Sequence, residues 1–105
     1  LHWDLLMRSR AVDSQAYVLA CSPARDEEAS YQAWGHSVIV DPWGQIMAQA
    51  DRDEEIIFGY LDPEAVRQVR TELPVLRQRR TDLYEIVAKD AGVVKERSAD
   101  DEIPH

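Results

Sequence analysis

A lone cysteine, a histidine beside a serine, a run of arginines and three knots of acid are the residues whose types could do chemistry here. Cys21 is the single thiol. A cysteine becomes a nucleophile where a base or a cationic, partly exposed setting holds its thiolate. Cys21 instead closes the small and apolar run Ala16-Tyr17-Val18-Leu19-Ala20, so its expected role is a buried structural thiol. His36 and Ser37 are neighbours, but adjacent strand residues point to opposite faces, so the imidazole cannot reach that hydroxyl directly. No Gly-x-Ser-x-Gly elbow surrounds the serine, and a polar loop-to-strand junction is the expected place for both. Arg77, Arg79 and Arg80 could hold an anion, yet Asp82 and Glu85 follow closely, and ion pairing at a packing interface is the simpler expectation.

The acids gather as Asp26, Glu27 and Glu28, as Asp51, Asp53, Glu54 and Glu55, and as Asp100, Asp101 and Glu102. A calcium loop alternates oxygen ligands about a central glycine, and none of the three clusters has that pattern. They read as solvated loop faces. His2, His36 and His105 are far apart, and a single cysteine cannot begin a zinc motif, so no structural metal is expected. The glycines are scattered and form no phosphate loop. Trp3, Trp34 and Trp43 are expected in core or interface positions rather than stacked on a ligand. By spacing alone the chain holds no catalytic constellation.

The elements that must position these residues can be read from the hydrophobic pattern. From His2 to Ser14, Trp3, Leu6, Met7, Arg10 and Ala11 recur at helical spacing, and Leu5 and Val12 widen the stripe. Asp4 in the first turn and the later Arg8 and Arg10 suit the helix dipole. Ala16 to Cys21 predicts a strand buried on both faces, ended by Ser22-Pro23. Arg25 to Gln32 is a polar loop. His36 to Val40 and Gln45 to Gln49 predict two strands of a hairpin around Asp41-Pro42-Trp43-Gly44, whose proline and glycine fit a type I turn. Glu55 to Leu61 predicts a fourth strand. Asp62-Pro63-Glu64 opens a second helix with a cap, a fixed φ and a favourable charge, and Val66, Val69 and Leu73 form its stripe. Pro74 stops it. Asp90 to His105 is polar and acidic and predicts a disordered tail.

Bulk properties narrow the partners. The 105 residues suit one small domain or part of a larger one. Twenty acidic against 12 basic side chains give a net charge of -8, which argues against nucleic acid and against an anionic membrane surface. No apolar run approaches the roughly 20 residues that would span a bilayer. A solitary thiol suits a reducing compartment, the cytoplasm or the mitochondrial matrix. The chain opens on Leu1, already in a helical pattern, and strands this apolar need a second covering layer. Both features predict a segment of a longer chain.

His2-Trp3-Asp4-Leu5-Leu6-Met7-Arg8-Ser9-Arg10-Ala11-Val12-Asp13-Ser14-Gln15 resembles the helix after the nucleophile region in nitrilase-superfamily amidases. Ser22-Pro23-Ala24-Arg25-Asp26, Ala33-Trp34-Gly35-His36-Ser37, Asp41-Pro42-Trp43-Gly44, Arg77-Gln78-Arg79-Arg80 and Asp82-Leu83-Tyr84 resemble segments of the omega-amidase branch of those carbon-nitrogen hydrolases. Ser9 and Ser14 depart from the usual alanine and asparagine. Cys21 falls at a variable small position, so it is not the family nucleophile. The resemblance covers residues 1–89 as part of one carbon-nitrogen hydrolase domain, leaving 90–105 as the tail.

The resemblance implies the C-terminal third of an α/β fold, the α-β-β-α sandwich of nitrilases. It implies a glutamate, lysine and cysteine triad before Leu1, so no catalytic residue is expected in this chain, and the chain alone is expected to be inactive. The implied reaction cleaves the amide of 2-oxoglutaramate or 2-oxosuccinamate to the 2-oxo acid and ammonia, with no metal or organic cofactor. The implied partners are that small amide and a second subunit, in a homodimer whose interface takes Trp3, Leu6, Met7 and Arg10. Two alternatives stand beside it: another nitrilase-branch hydrolase, or a non-catalytic interaction module.

Overall fold

A computed structural model describes residues 2–89. The tail expected at 90–105 lies outside the described residues. The elements run α1 (Trp3–Ser14), β1 (Val18–Ala20), β2 (Val38–Val40), β3 (Ile46–Gln49) and α2 (Pro63–Glu72).

Helix α1 forms where the sequence predicts it and ends on Gln15, a non-glycine residue in the left-handed region at φ 50°. That conformation is costly for a residue with a Cβ and persists only where the surroundings over-determine it. They do so here. The Gln15 side chain, buried with its residue, donates to the Leu73 carbonyl at 2.7 Å, and Arg70 Nε donates to the Gln15 carbonyl at 3.2 Å. Gln15 thus fastens the end of α1 to the end of α2 and satisfies a terminal carbonyl that helix geometry leaves unpaired.

The strands form one antiparallel sheet in the order β1-β2-β3. Val18 stands opposite Val40 and Ala20 opposite Val38, and a register shift falls between Ile39 and Val40 on the β3 side. The β2–β3 hairpin closes through the expected turn. Gly44 N–H donates to the Asp41 carbonyl at 2.9 Å, and the Asp41 carboxylate accepts from the amides of Trp43 and Gln45, both at 2.9 Å. Gly44 has φ 81°, the region that favours glycine. Arg8 Nε donates to its carbonyl at 2.6 Å, which ties the turn to α1.

The core sits between α1 and the sheet. Ala11, Val38 and Val40 are fully buried, and Trp3, Met7, Val18 and Ala20 pack around them. The small Ala11 lets the helix approach β2 closely. Helix α2 opens as its sequence requires. Asp62 is extended at φ -98°, its carboxylate accepts from Glu64 N–H at 3.0 Å, and Pro63 takes the first helical position. Loss of such a cap costs about 1 kcal/mol. The Asp62 amide donates to the Tyr17 hydroxyl at 3.1 Å, anchoring this start beside β1. Val69 is the fully buried member of the predicted stripe.

Three expectations are corrected. The run from Ala16 to Cys21 is not buried on both faces: the strand is Val18–Ala20, and Leu19 is 59% exposed because no described element covers that side. Cys21 lies past the strand end and is exposed, not a buried thiol. Glu55 to Leu61 is not a strand. Gly59 lies against the Ile39 side chain, where an added Cβ would stand 3.1 Å from Ile39 Cδ1. Gly59 thus touches the sheet at Ile39, while Ile56, Phe58 and Tyr60 beside it are largely exposed.

Among the described residues, seven apolar side chains are buried, while twenty large ones from Leu5 to Val87 are exposed. At about 25 cal/mol per Å² of apolar surface removed from water, so small a core cannot offset the ordering of this many residues. The 105-residue chain alone is expected to melt over a broad range. A single sharp calorimetric transition would contradict this.

After Pro74 the chain continues in turns. Arg80 and Asp82 form a bidentate pair, Nε to Oδ1 at 2.8 Å and Nη2 to Oδ2 at 2.6 Å, on the exposed surface. The Arg80 guanidinium holds the Asp82 carboxyl below the usual carboxylate range. A lowered acid pKa contributes stability above the ordinary value, and that contribution disappears as pH falls through the lowered one. In a carboxyl NMR titration, the Arg80→Gln variant is expected to move the Asp82 midpoint upward, toward an ordinary aspartate. An unchanged midpoint would show that the pair does not form in solution.

Candidate functional site

Of the residues singled out for chemistry, Cys21, His36, Ser37 and the acids at 51–55 meet in one place. A recess of about 210 Å³ is lined by Cys21, Ser22, Gly35, His36, Ser37 and Asp51, with Asp53, Glu54 and Glu55 at its acidic side. Its frame is built from paired serines. Ser37 Oγ donates to the Ser22 carbonyl at 3.1 Å and accepts from Ser22 N–H at 2.9 Å. Ser22 Oγ accepts from Gly35 N–H at 3.1 Å. These bonds join the exit of β1 to the entry of β2 where strand pairing has stopped. They explain why the predicted strand beginning at His36 starts only at Val38.

Gly35 and His36 are both left-handed, at φ 75° and 61°. His36 is held there from two sides. Its N–H donates to the Asp51 carbonyl at 3.0 Å, and its carbonyl accepts from the Trp3 indole N–H at 2.7 Å. The imidazole stacks on Trp34 with centroids 4.4 Å apart and 18° between planes. Nδ1 lies 2.8 Å from the Trp34 carbonyl, so this nitrogen carries a proton. Nε2 faces the Asp51 carboxylate at 3.7 Å.

The polar groups of the recess are bonded to backbone and to one another. His36 commits one ring nitrogen to a backbone carbonyl and turns the other to Asp51, and Ser37 bonds to Ser22 rather than to His36. Among the described residues Cys21 has no hydrogen bond to a base that would activate it. No group of three or more His, Cys, Asp or Glu among the described residues is placed to hold a metal ion. No helix there is long and apolar enough to cross a membrane.

The arginine run does not converge on this recess. Arg80 pairs with Asp82, and Arg79 Nε donates to the Leu76 carbonyl at 3.0 Å.

The four residues expected at a subunit interface divide between two faces. Trp3 and Met7 are half-buried against this chain's own sheet, whereas Leu6 and Arg10 face outward. The outward face adds Leu5 and Val12, and these meet Trp43 and Gly44 in an open groove of about 430 Å³. Sequence reasoning missed this groove. Leu5 and Val12 were visible as a widening of the apolar stripe, but a turn tryptophan distant in sequence gives no periodic signal. The locking roles of Gln15, Tyr17 and Ser22 were also missed, since each depends on a backbone atom from another element.

The described residues form an α/β unit whose polar side chains brace strands and loops. The carbon-nitrogen hydrolase family model matches residues 1–71, and the chain belongs to that family. Among its relatives it is similar to omega-amidase NIT2 of Bos taurus, 51% identical over 88 residues, which are 84% of this chain and 32% of that protein. It is also similar to omega-amidase NIT3 of Saccharomyces cerevisiae, 56% identical over 84 residues, 80% of this chain and 29% of that one. The crystal structure of Saccharomyces cerevisiae Nit3, a member of branch 10 of the nitrilase superfamily, matches with a TM-score of 0.71 at 56% identity, covering 76% of this chain and 30% of that one. The C. elegans NitFhit protein matches with a TM-score of 0.72 at 38% identity, covering 80% and 20%. The fold is thus α/β of the nitrilase type, and the chain spans about a third of the length of the curated relatives it matches.

Proposed function

We propose that the protein carrying this segment is an omega-amidase-like hydrolase acting on the terminal amide of 2-oxo dicarboxylic acid monoamides, and that this segment is its scaffold. The observation that carries the reading is identity of about half the positions, across more than four fifths of the chain, to proteins named omega-amidases. The resemblance supplies the chemistry. A cysteine thiolate attacks the amide carbon, a glutamate moves the protons, and a lysine helps hold the tetrahedral oxyanion. Ammonia leaves, and water cleaves the thioester. The triad belongs to sequence preceding Leu1 on this reading. The outward apolar face of α1, with Leu5, Leu6 and Val12, supports a homodimer as the working assembly. The cytoplasm or the mitochondrial matrix is the proposed location.

The test is ammonia release from 2-oxoglutaramate and 2-oxosuccinamate. The full-length protein is expected to turn both over, its nucleophile Cys-to-Ala variant is expected to lose all measurable turnover, and the 105-residue chain alone is expected to release none. Turnover of other amides but not these two would favour another nitrilase-branch hydrolase. No turnover of any amide would favour a non-catalytic module.

A further inference from the structure

We draw no further inference here: the strongest candidate, the exposed apolar ridge of Ile56, Phe58 and Tyr60 on the extended segment between β3 and α2, carries nothing because nothing in the structure shows what covers it.

Discussion

Replacing Gly35 by alanine is expected to destabilise a protein that carries this segment at the full length of its relatives by about 2–4 kcal/mol. Two costs add at this position. The backbone is left-handed at φ 75°, a conformation that a Cβ disfavours by roughly 1–2 kcal/mol. The added Cβ would also stand 3.0 Å from Arg52 Cα and 3.1 Å from the Asp51 carbonyl oxygen. Both are backbone atoms, so neither can swing aside. The same loop carries His36, whose amide and carbonyl are held by Asp51 and Trp3. Relief of the clash by moving residue 35 would pull on those bonds.

Gly59 provides the control. Its Cβ would meet only the Ile39 side chain, Cδ1 at 3.1 Å and Cγ2 at 3.3 Å, and a side chain can shift where backbone cannot. Gly59→Ala is expected to cost under about 1 kcal/mol. Urea denaturation midpoints of the two variants decide the matter. Equal midpoints would mean that the left-handed turn at Gly35 is not held as described. If the recess also frames the proposed active site, Gly35→Ala should lower amide turnover more than the loss of folded protein accounts for.

Placing a charge at Val40 has a larger expected effect. Val40 has no exposed surface and contacts the centre of the α1–sheet core with Ala11 and Val38. The described core offers no cation there to pair with a new carboxylate. An uncompensated buried charge costs about 3–5 kcal/mol, a large share of the stability of an ordinary domain. Val40→Asp is expected to abolish soluble folded protein, seen as loss of native circular dichroism. Val40→Ala removes two carbon atoms and leaves a void, and about 2 kcal/mol is expected, leaving a folded protein with a lowered urea midpoint. Comparable stability for the Asp and Ala variants would show that residue 40 meets water, contrary to its place under α1.

These positions differ in how much of them the sequence discloses. Val40 lies in an apolar strand run and was legible as core. Gly35 was legible only as a motif residue, because the close approach of Asp51 and Arg52, brought there by the hairpin, leaves no local signal. Helix α2 was readable almost to the residue, since its Asp62-Pro63-Glu64 start acts on amides next to it in sequence. The Asp41–Gly44 turn was readable for the same reason. Cys21 was misjudged. An apolar run reports a preference for burial, but burial also needs an opposing layer, and no described element supplies one on that side of β1. Glu55 to Leu61 was misjudged likewise. Its composition favours a strand, yet a strand exists only where a free edge is within hydrogen-bonding reach.

The recess divides along the same line. Its residues could be named from the sequence, because Cys21, Ser22, His36, Ser37 and the acids at 51–55 are chemically distinctive types. Their use could not. The sequence by itself determined the helices and the hairpin, since propensity, capping and periodicity act over a few neighbouring residues. Only the tertiary structure decided that Ser37 braces Ser22, that His36 is held between Trp3 and Asp51, and that Cys21 faces solvent. Those outcomes depend on partners up to 33 residues apart in the chain, whose approach is set by how α1 and the sheet pack.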